Sequence, residues 1–93
     1  MMVELEIVLD KRESKLIQAC KELVIPYKPS PLSLGDIHIR DKKTDEIKMM
    51  IERKTWRDLA ASILDNRYKE QHARYREWAR ENNCSVWYIL EGP

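Results

Sequence analysis

Met49-Met50-Ile51-Glu52-Arg53-Lys54-Thr55-Trp56-Arg57-Asp58 is the stretch that decides how this chain folds. It opens in an apolar run and closes in what reads as a helix start, with acids and bases packed between. Ile47, Met49 and Ile51 fall on one parity and Lys48, Met50, Glu52 and Lys54 on the other. A strand here therefore sends Glu52 and Lys54 to the same face. Thr55, followed three residues later by Asp58, is a capping-box-like start in which a hydroxyl and a carboxylate serve the free N–H groups of a helix opening at Trp56. The order is strand, charged triplet, helix.

Upstream, Gly35-Asp36-Ile37-His38-Ile39-Arg40 alternates as well, with Ile37 and Ile39 inward and Asp36, His38 and Arg40 in a polar row on the other face. Asp41 to Glu46 is short and polar, so the strand over about 47–53 returns antiparallel as a hairpin and brings Asp36 toward Glu52. Earlier still, Val3, Leu5, Ile7 and Leu9 alternate with Glu4, Glu6 and Val8 in a strand ending at Asp10. The charged cluster Asp10-Lys11-Arg12-Glu13 that closes it has two readings, a solvated turn or part of a ligand-gathering strand end. Ser14 suits the N-cap of a helix running to about Val24, with Leu16, Ile17, Cys20, Leu23 and Val24 on its buried face. Pro26, Pro29 and Pro31 then exclude a helix interior over 25–34 and favour an edge strand and a loop.

Downstream of Trp56, the apolar Leu59, Ala60 and Ile63 continue a helical stripe as far as a break at Asp65-Asn66. Tyr68, His72, Tyr75, Trp78 and Ala79 share a face of a second helix that ends at Asn82-Asn83. Aromatics so placed are core more often than a base-stacking platform. Val86 to Leu90 reads as a buried strand closing at Glu91-Gly92-Pro93. Strand, helix, extended segment, hairpin, helix pair and strand predict an α/β fold, with a central mixed β-sheet flanked by helices.

The bulk properties agree. Ninety-three residues, 43% hydrophobic and 35% charged with two glycines and four prolines, suit one globular domain with a single core. Seventeen Lys plus Arg against sixteen Asp plus Glu leave a charge of +1, which neither demands nor excludes a nucleic-acid partner. Cys20 and Cys84 have no paired zinc-site spacing and are too few for a disulfide scaffold, so the expected setting is reducing and intracellular. No apolar run is long enough to span a bilayer and no basic-then-apolar leader is present, which argues against membrane insertion and export. His38 and His72 lack partners at ligand spacing and read as ordinary residues rather than metal ligands.

Asp36 and Glu52 on neighbouring strands have the chemistry of a Mg²⁺ site, because this hard ion is held by one or two carboxylates plus waters and phosphate oxygens. Lys54 beside it is a compact charge that positions water or offsets negative charge, and Arg53 suits a bidentate grip on phosphate. On spacing alone, a cross-strand salt-bridge ladder among Asp36, Arg40, Glu52 and Lys54 remains an open alternative.

Gly35-Asp36, Glu52-Arg53-Lys54 and Asp58 together read GD-x(n)-ERK-x3-D, which resembles the signature of the XPF family of structure-specific DNA endonucleases, within the restriction-endonuclease-like fold. Asp10-Lys11-Arg12-Glu13 is similar to that family's D-x-R-E, Asn66-Arg67-Tyr68 with Gln71 to its kink, and Tyr88-Ile89-Leu90-Glu91-Gly92 to its close, so the likeness covers nearly the whole chain. The gap from Asp36 to Glu52 is longer than is usual there, and Ile37 stands where an aromatic commonly follows Gly-Asp. The resemblance implies Mg²⁺-dependent cutting of branched DNA (flaps, forks, nicked junctions) in repair or recombination, with Mn²⁺ able to substitute. It implies Asp10, Asp36 and Glu52 around the metal, Arg12, Arg53, Lys54 and Asp58 completing the catalytic cluster, and Arg67 and Gln71 as secondary DNA-side residues. It also implies a homo- or heterodimer with a related nuclease subunit, in the nucleus of a eukaryote or otherwise the cytoplasm. Residues 1–93 correspond to the nuclease core, without the dimerisation and helix-hairpin-helix elements that usually follow it. A non-catalytic DNA-binding or scaffold subunit and a junction resolvase of the same broad fold are the alternative functions.

Overall fold

The computed structural model describes residues 4–92, so the expected strand start at Val3 lies outside the described residues. Along the chain run β1 (Leu5–Asp10), α1 (Ser14–Glu22), β2 (Lys28–Ser30), β3 (Ile37–Asp41), β4 (Ile47–Thr55), α2 (Trp56–Leu64), α3 (Arg67–Asn82) and β5 (Ser85–Glu91). The five strands form one sheet in the order β2-β1-β3-β4-β5. β1 and β3, and β3 and β4, are antiparallel, whereas β2 lies parallel to β1 and β5 parallel to β4. The expected α/β architecture, a mixed sheet with helices on its faces, is the one the chain adopts.

The hairpin forms as the alternation predicts. Ile37 pairs with Ile51 and His38 with Met50, and a shift in register falls between Ile39 and Arg40. Its turn is closed by Asp41, whose Oδ1 accepts from the N–H groups of Lys43 (2.8 Å) and Thr44 (3.2 Å). The proline-bearing segment gives β2, an edge strand as expected, where Pro29 costs no interior ladder bond.

Strand parity divides the core into two layers. On one face Leu9, Cys20 and Ile37 are buried, packed by Ile7, Leu16, Ile17, Ile39 and Ile51, so α1 covers β1, β3 and β4. On the other face Val8 and Met50 are wholly buried, and the His38 ring lies 5.6 Å from Trp78 of α3. The polar row expected there is therefore interrupted. His38 is buried, its Nε2 donates to the Leu34 carbonyl at 2.8 Å, and burial lowers its pKa, favouring the neutral ring.

Several elements depart from the apolar periodicity. Ser14 is the first helical residue of α1, not its cap; Glu13 holds the cap position and makes no capping bond, because its carboxylate is drawn to Arg53. α1 stops at Glu22, and Val24 takes a left-handed backbone (φ 56°) as the chain turns toward β2. Leu23 and Val24, expected in the core, are consequently exposed. In α2 the buried position is Ser62, while Ala60 and Ile63 face solvent. In α3 Gln71 turns inward and His72 lies outside. β5 is not a buried strand: it forms the sheet edge beyond the reach of α1, and Trp87 and Ile89 remain about half exposed. The break between α2 and α3 falls where expected, with Asn66 left-handed at φ 68°. Thr55 caps α2, its Oγ1 accepting from the Asp58 N–H at 3.0 Å, although no return bond from the Asp58 carboxylate forms among the described residues. No helix among the described residues is long and apolar enough to cross a membrane.

Gly35 fixes the entry to β3. Its φ is +76°, and a Cβ there would lie 2.5 Å from Met50 Sδ, on a side chain with no room to retreat. Gly35→Ala is expected to destabilise the fold by about 2 kcal/mol, through left-handed strain plus overpacking, read as a lower urea midpoint at unchanged m-value.

Candidate active site

Asp36 is the residue most tightly placed by the backbone. Its N–H donates to the Ile51 carbonyl (2.9 Å) and its carbonyl accepts from the Asp10 N–H (3.0 Å), so it is fastened between β1 and β4. Its carboxylate then accepts from the Arg53 N–H at 2.8 Å. This bond joins the two halves of the signature, Gly35-Asp36 and Glu52-Arg53-Lys54, across seventeen residues of sequence.

Glu52 and Lys54 point to the α3 face, as their parity requires. Tyr75, buried on α3, donates its hydroxyl to Glu52 Oε2 at 3.0 Å. Gln71 donates to the Tyr75 oxygen (3.3 Å) and accepts from Lys54 Nζ (3.1 Å). The acid and the ammonium are thus connected through two helix side chains rather than directly. Burial, and next the nearby Asp36 carboxylate, raise the Glu52 pKa, while the Tyr75 bond and Lys54 oppose the rise. Burial and the Glu52 charge push the Tyr75 phenol far above its ordinary range, so it stays a donor.

Arg53 points to the other face. Its Nη1 donates to Glu13 at 2.6 Å, and its Nε and Nη2 donate to the two oxygens of Glu91 at 2.5 and 3.1 Å. The guanidinium fork expected to grip phosphate is occupied by two carboxylates. Glu13 has a raised pKa, from burial and then from neighbouring Asp36, against the pull of Arg53, whereas the Arg53 bond lowers that of Glu91.

Asp10 is buried at the end of β1, and its two oxygens accept from Arg12 Nε (3.2 Å), Nη2 (2.9 Å) and N–H (3.0 Å). Arg12 holds the Asp10 carboxyl down at about 2. Asp58 is exposed at the start of α2, and exposed Arg67 binds Asp65 at 2.6 Å. The sequence-predicted residues therefore separate. Asp36, Glu52, Lys54 and Gln71 come together and Arg53 backs them from the opposite face; Asp10 adjoins Asp36 through the backbone while its carboxylate holds Arg12, Arg67 holds Asp65, and Asp58 bonds through its backbone to Thr55 and Ser62. No ion pair found among the described residues joins any two of Asp36, Arg40, Glu52 and Lys54, so the salt-bridge ladder does not form.

Three participants figure in the sequence reading without a role in the site: Tyr75, Glu13 and Glu91. Tyr75 stands four residues after Gln71 on the same helix face, which was the available signal, but an aromatic at that spacing reads more readily as core. Glu91 shares the parity of Arg53's cross-strand neighbour Ile89, and that cue is usable only once β4 and β5 are known to be parallel partners.

Could these residues hold a divalent ion? Among the described residues no group of three or more His, Cys, Asp and Glu side chains converges as a metal site. The Asp36 and Glu52 carboxylates nevertheless fit one. They are near enough for the charge of Asp36 to disfavour ionisation of Glu52, and a cation between them relieves that repulsion.

The chain belongs to the ERCC4 domain family, whose profile matches residues 9–93. Its fold superposes on XPF from Aeropyrum pernix with a TM-score of 0.72 at 30% identity, over 95% of this chain and 38% of that one. XPF from the same organism in complex with DNA matches with a TM-score of 0.68 at 29% identity, over 97% of this chain and 41% of that one. The ERCC4 domain-containing protein EP364R of African swine fever virus, Kenyan isolate, is 35% identical over 69 residues, which is 74% of this chain and 18% of the viral protein. The chain thus spans well under half the length of these relatives. Membership of this nuclease family implies a divalent metal.

Glu52 carries a pH signature. Because its folded-state pKa is raised, the stability it allows is fully present below the ordinary glutamate range and is lost as pH rises through the folded-state value. In EDTA, Glu52→Gln should therefore melt at a higher temperature than the native chain at neutral pH, and the difference should vanish as the pH is lowered to about 4. Parallel melting curves from pH 4 to 8 test the sign.

Proposed function

We propose that this domain is a metal-dependent endonuclease that hydrolyses phosphodiester bonds in branched DNA, at flaps, forks or nicked junctions, in repair or recombination. The observation that carries the reading is the bond from the Arg53 N–H to the Asp36 carboxylate, which holds Asp36 beside the Glu52-Arg53-Lys54 triplet. Asp36 and Glu52 are the ligands for Mg²⁺, with Mn²⁺ able to replace it, and Asp10 joins them if Arg12 turns away to substrate. A bound divalent ion supplies charge neutralisation at the phosphoryl group and a more acidic water.

The chain's own residues do the rest. Asp36 is held rigidly by its backbone and so presents one carboxylate oxygen without a conformational search. Tyr75 orients the Glu52 carboxylate, since a hydrogen bond to one oxygen fixes the direction of the other. Lys54, steadied by Gln71, keeps an ammonium beside the pair, where it offsets the charge that develops on the phosphoryl oxygens. Arg12 is largely exposed and reaches a phosphate if it releases Asp10, whereas Arg53 acts by position, tethering Glu13 and Glu91. Asp58 serves chiefly as part of the first turn of α2, and Arg67 and Gln71 sit on the DNA side. Residues 1–93 form the nuclease core, acting in a cell interior alongside a related nuclease subunit as dimer partner.

A non-catalytic DNA-binding scaffold is the second reading, favoured by one observation: the Asp10 carboxylate is fully engaged by Arg12, leaving two acids rather than three for a metal. The two readings separate on an assay of fork, flap, nicked-junction and plain duplex DNA with Mg²⁺ or Mn²⁺. Metal-dependent nicking of branched substrates, reduced about a hundredfold or more by Asp36→Asn or Glu52→Gln with the fold retained, is the expected result. Salt-sensitive DNA binding without cleavage at any metal or enzyme concentration would establish the scaffold instead.

A further inference from the structure

Between α2 and α3, beside the end of β4, lies a cleft of about 360 Å³ lined by Lys54, Ser62, Arg67, Glu70, Gln71 and Arg74. Its composition is unusual for a solvated helix flank. Three cations from two different elements converge on one concavity against a single acid, which leaves a formal charge of +2 that nothing in the fold requires. None of the ion pairs found among the described residues takes Lys54, Arg74 or Glu70; only Arg67 is paired, outward to Asp65. Lys54 spends one N–H on Gln71 and keeps two, and Arg74 offers a planar fork. Ser62 is buried at this cleft and already donates to the Asp58 carbonyl, so the available hydrogen-bond donors belong mainly to the cations. A concave, donor-rich, positively charged site of this size is complementary to a phosphodiester.

Its location adds a constraint. Lys54 lies two residues along β4 from Glu52 on the same face, about 6.6 Å by strand rise, so the cleft adjoins the candidate metal pair without overlapping it. The opposite flank of α3 makes a useful contrast. Lys69, Arg76 and Arg80 with Glu77 give the same charge there, but the furrow they line is built from α3 alone.

We propose that the α2–α3 cleft is a subsite for a backbone phosphate of bound nucleic acid, with Arg74 as its principal ligand. This rests on the nuclease reading for the identity of the ligand as nucleic acid. The subsite fixes the register of the strand over Asp36 and Glu52, and it does so by charge and shape, independent of base sequence.

The test compares two exposed arginines on the same helix, using the full chain and a fluorescently labelled DNA fork in EDTA, so that binding is read apart from cleavage. Arg74→Gln should weaken binding about tenfold and lower the magnitude of the salt slope by about one, while Arg76→Gln changes binding less than twofold. Unchanged affinity for Arg74→Gln, equal losses from both variants, or no fork binding by the native chain at low salt would each overturn the subsite. Failure of the nuclease reading appears elsewhere, as a native chain that binds the fork with this arginine dependence but never cuts it when Mg²⁺ or Mn²⁺ is added.

Discussion

Arg53 holds the working edge of this domain together from both of its ends. Its backbone N–H carries the Asp36 carboxylate, and its guanidinium ties Glu13, from the loop after β1, to Glu91 at the end of β5. Three chain segments far apart in sequence meet on one residue of β4. Hydrogen bonds of this kind, between a charged fork and carboxylates, are among the stronger ones available, and the two pairs here are partly shielded from solvent. Remove the side chain, and Glu13 loses the cation that offsets its crowding against Asp36. Remove the strand position, and Asp36 has no partner beside the triplet.

The alternation of a β-strand turns three consecutive charged residues into two separate devices. Glu52 and Lys54 face α3 and are linked through Tyr75 and Gln71; Arg53 faces the opposite side and braces the frame. The arrangement exposes the cost of a functional site in a small domain. Glu52 is kept partly buried near another carboxylate, and both raise its pKa; under the proposed metal-binding role, that is the cost of holding negative charge ready for a cation.

Much of this was legible in the sequence because it follows from period and parity. The hairpin, the shared face of Glu52 and Lys54, the Thr55 cap, the break at Asn66 and the proline-bearing edge strand all depend on local chemistry that a residue and its near neighbours determine. What was not legible depends on which element lies above which. Leu23, Val24 and Ile63 have the right residue type for a core but fall where nothing covers them, and β5 reads as a buried strand yet sits at the edge. His38 reads as a rim residue but is roofed by Trp78. The site follows the same division. Asp36 and Glu52 were placed by strand pairing, but the partners that orient them, Tyr75 above all, come from an angle of helix on sheet that no periodicity encodes. Asp10 lies beside Asp36 as expected, its N–H on the Asp36 carbonyl, while its carboxylate holds Arg12 two residues away, a local contact that the longer-range reading did not include.

In the proposed mechanism Asp36 and Glu52 together form the seat of a divalent ion. The most direct measurement is a titration of the ¹⁵N-labelled chain with trace Mn²⁺, recording paramagnetic broadening of each backbone amide. Broadening that begins at Asp36, Glu52 and Arg53, and is lost in the Asp36→Asn variant, is the predicted result. Broadening centred on another acidic stretch, such as the turn at 41–46, or spread evenly over the surface, would contradict the account.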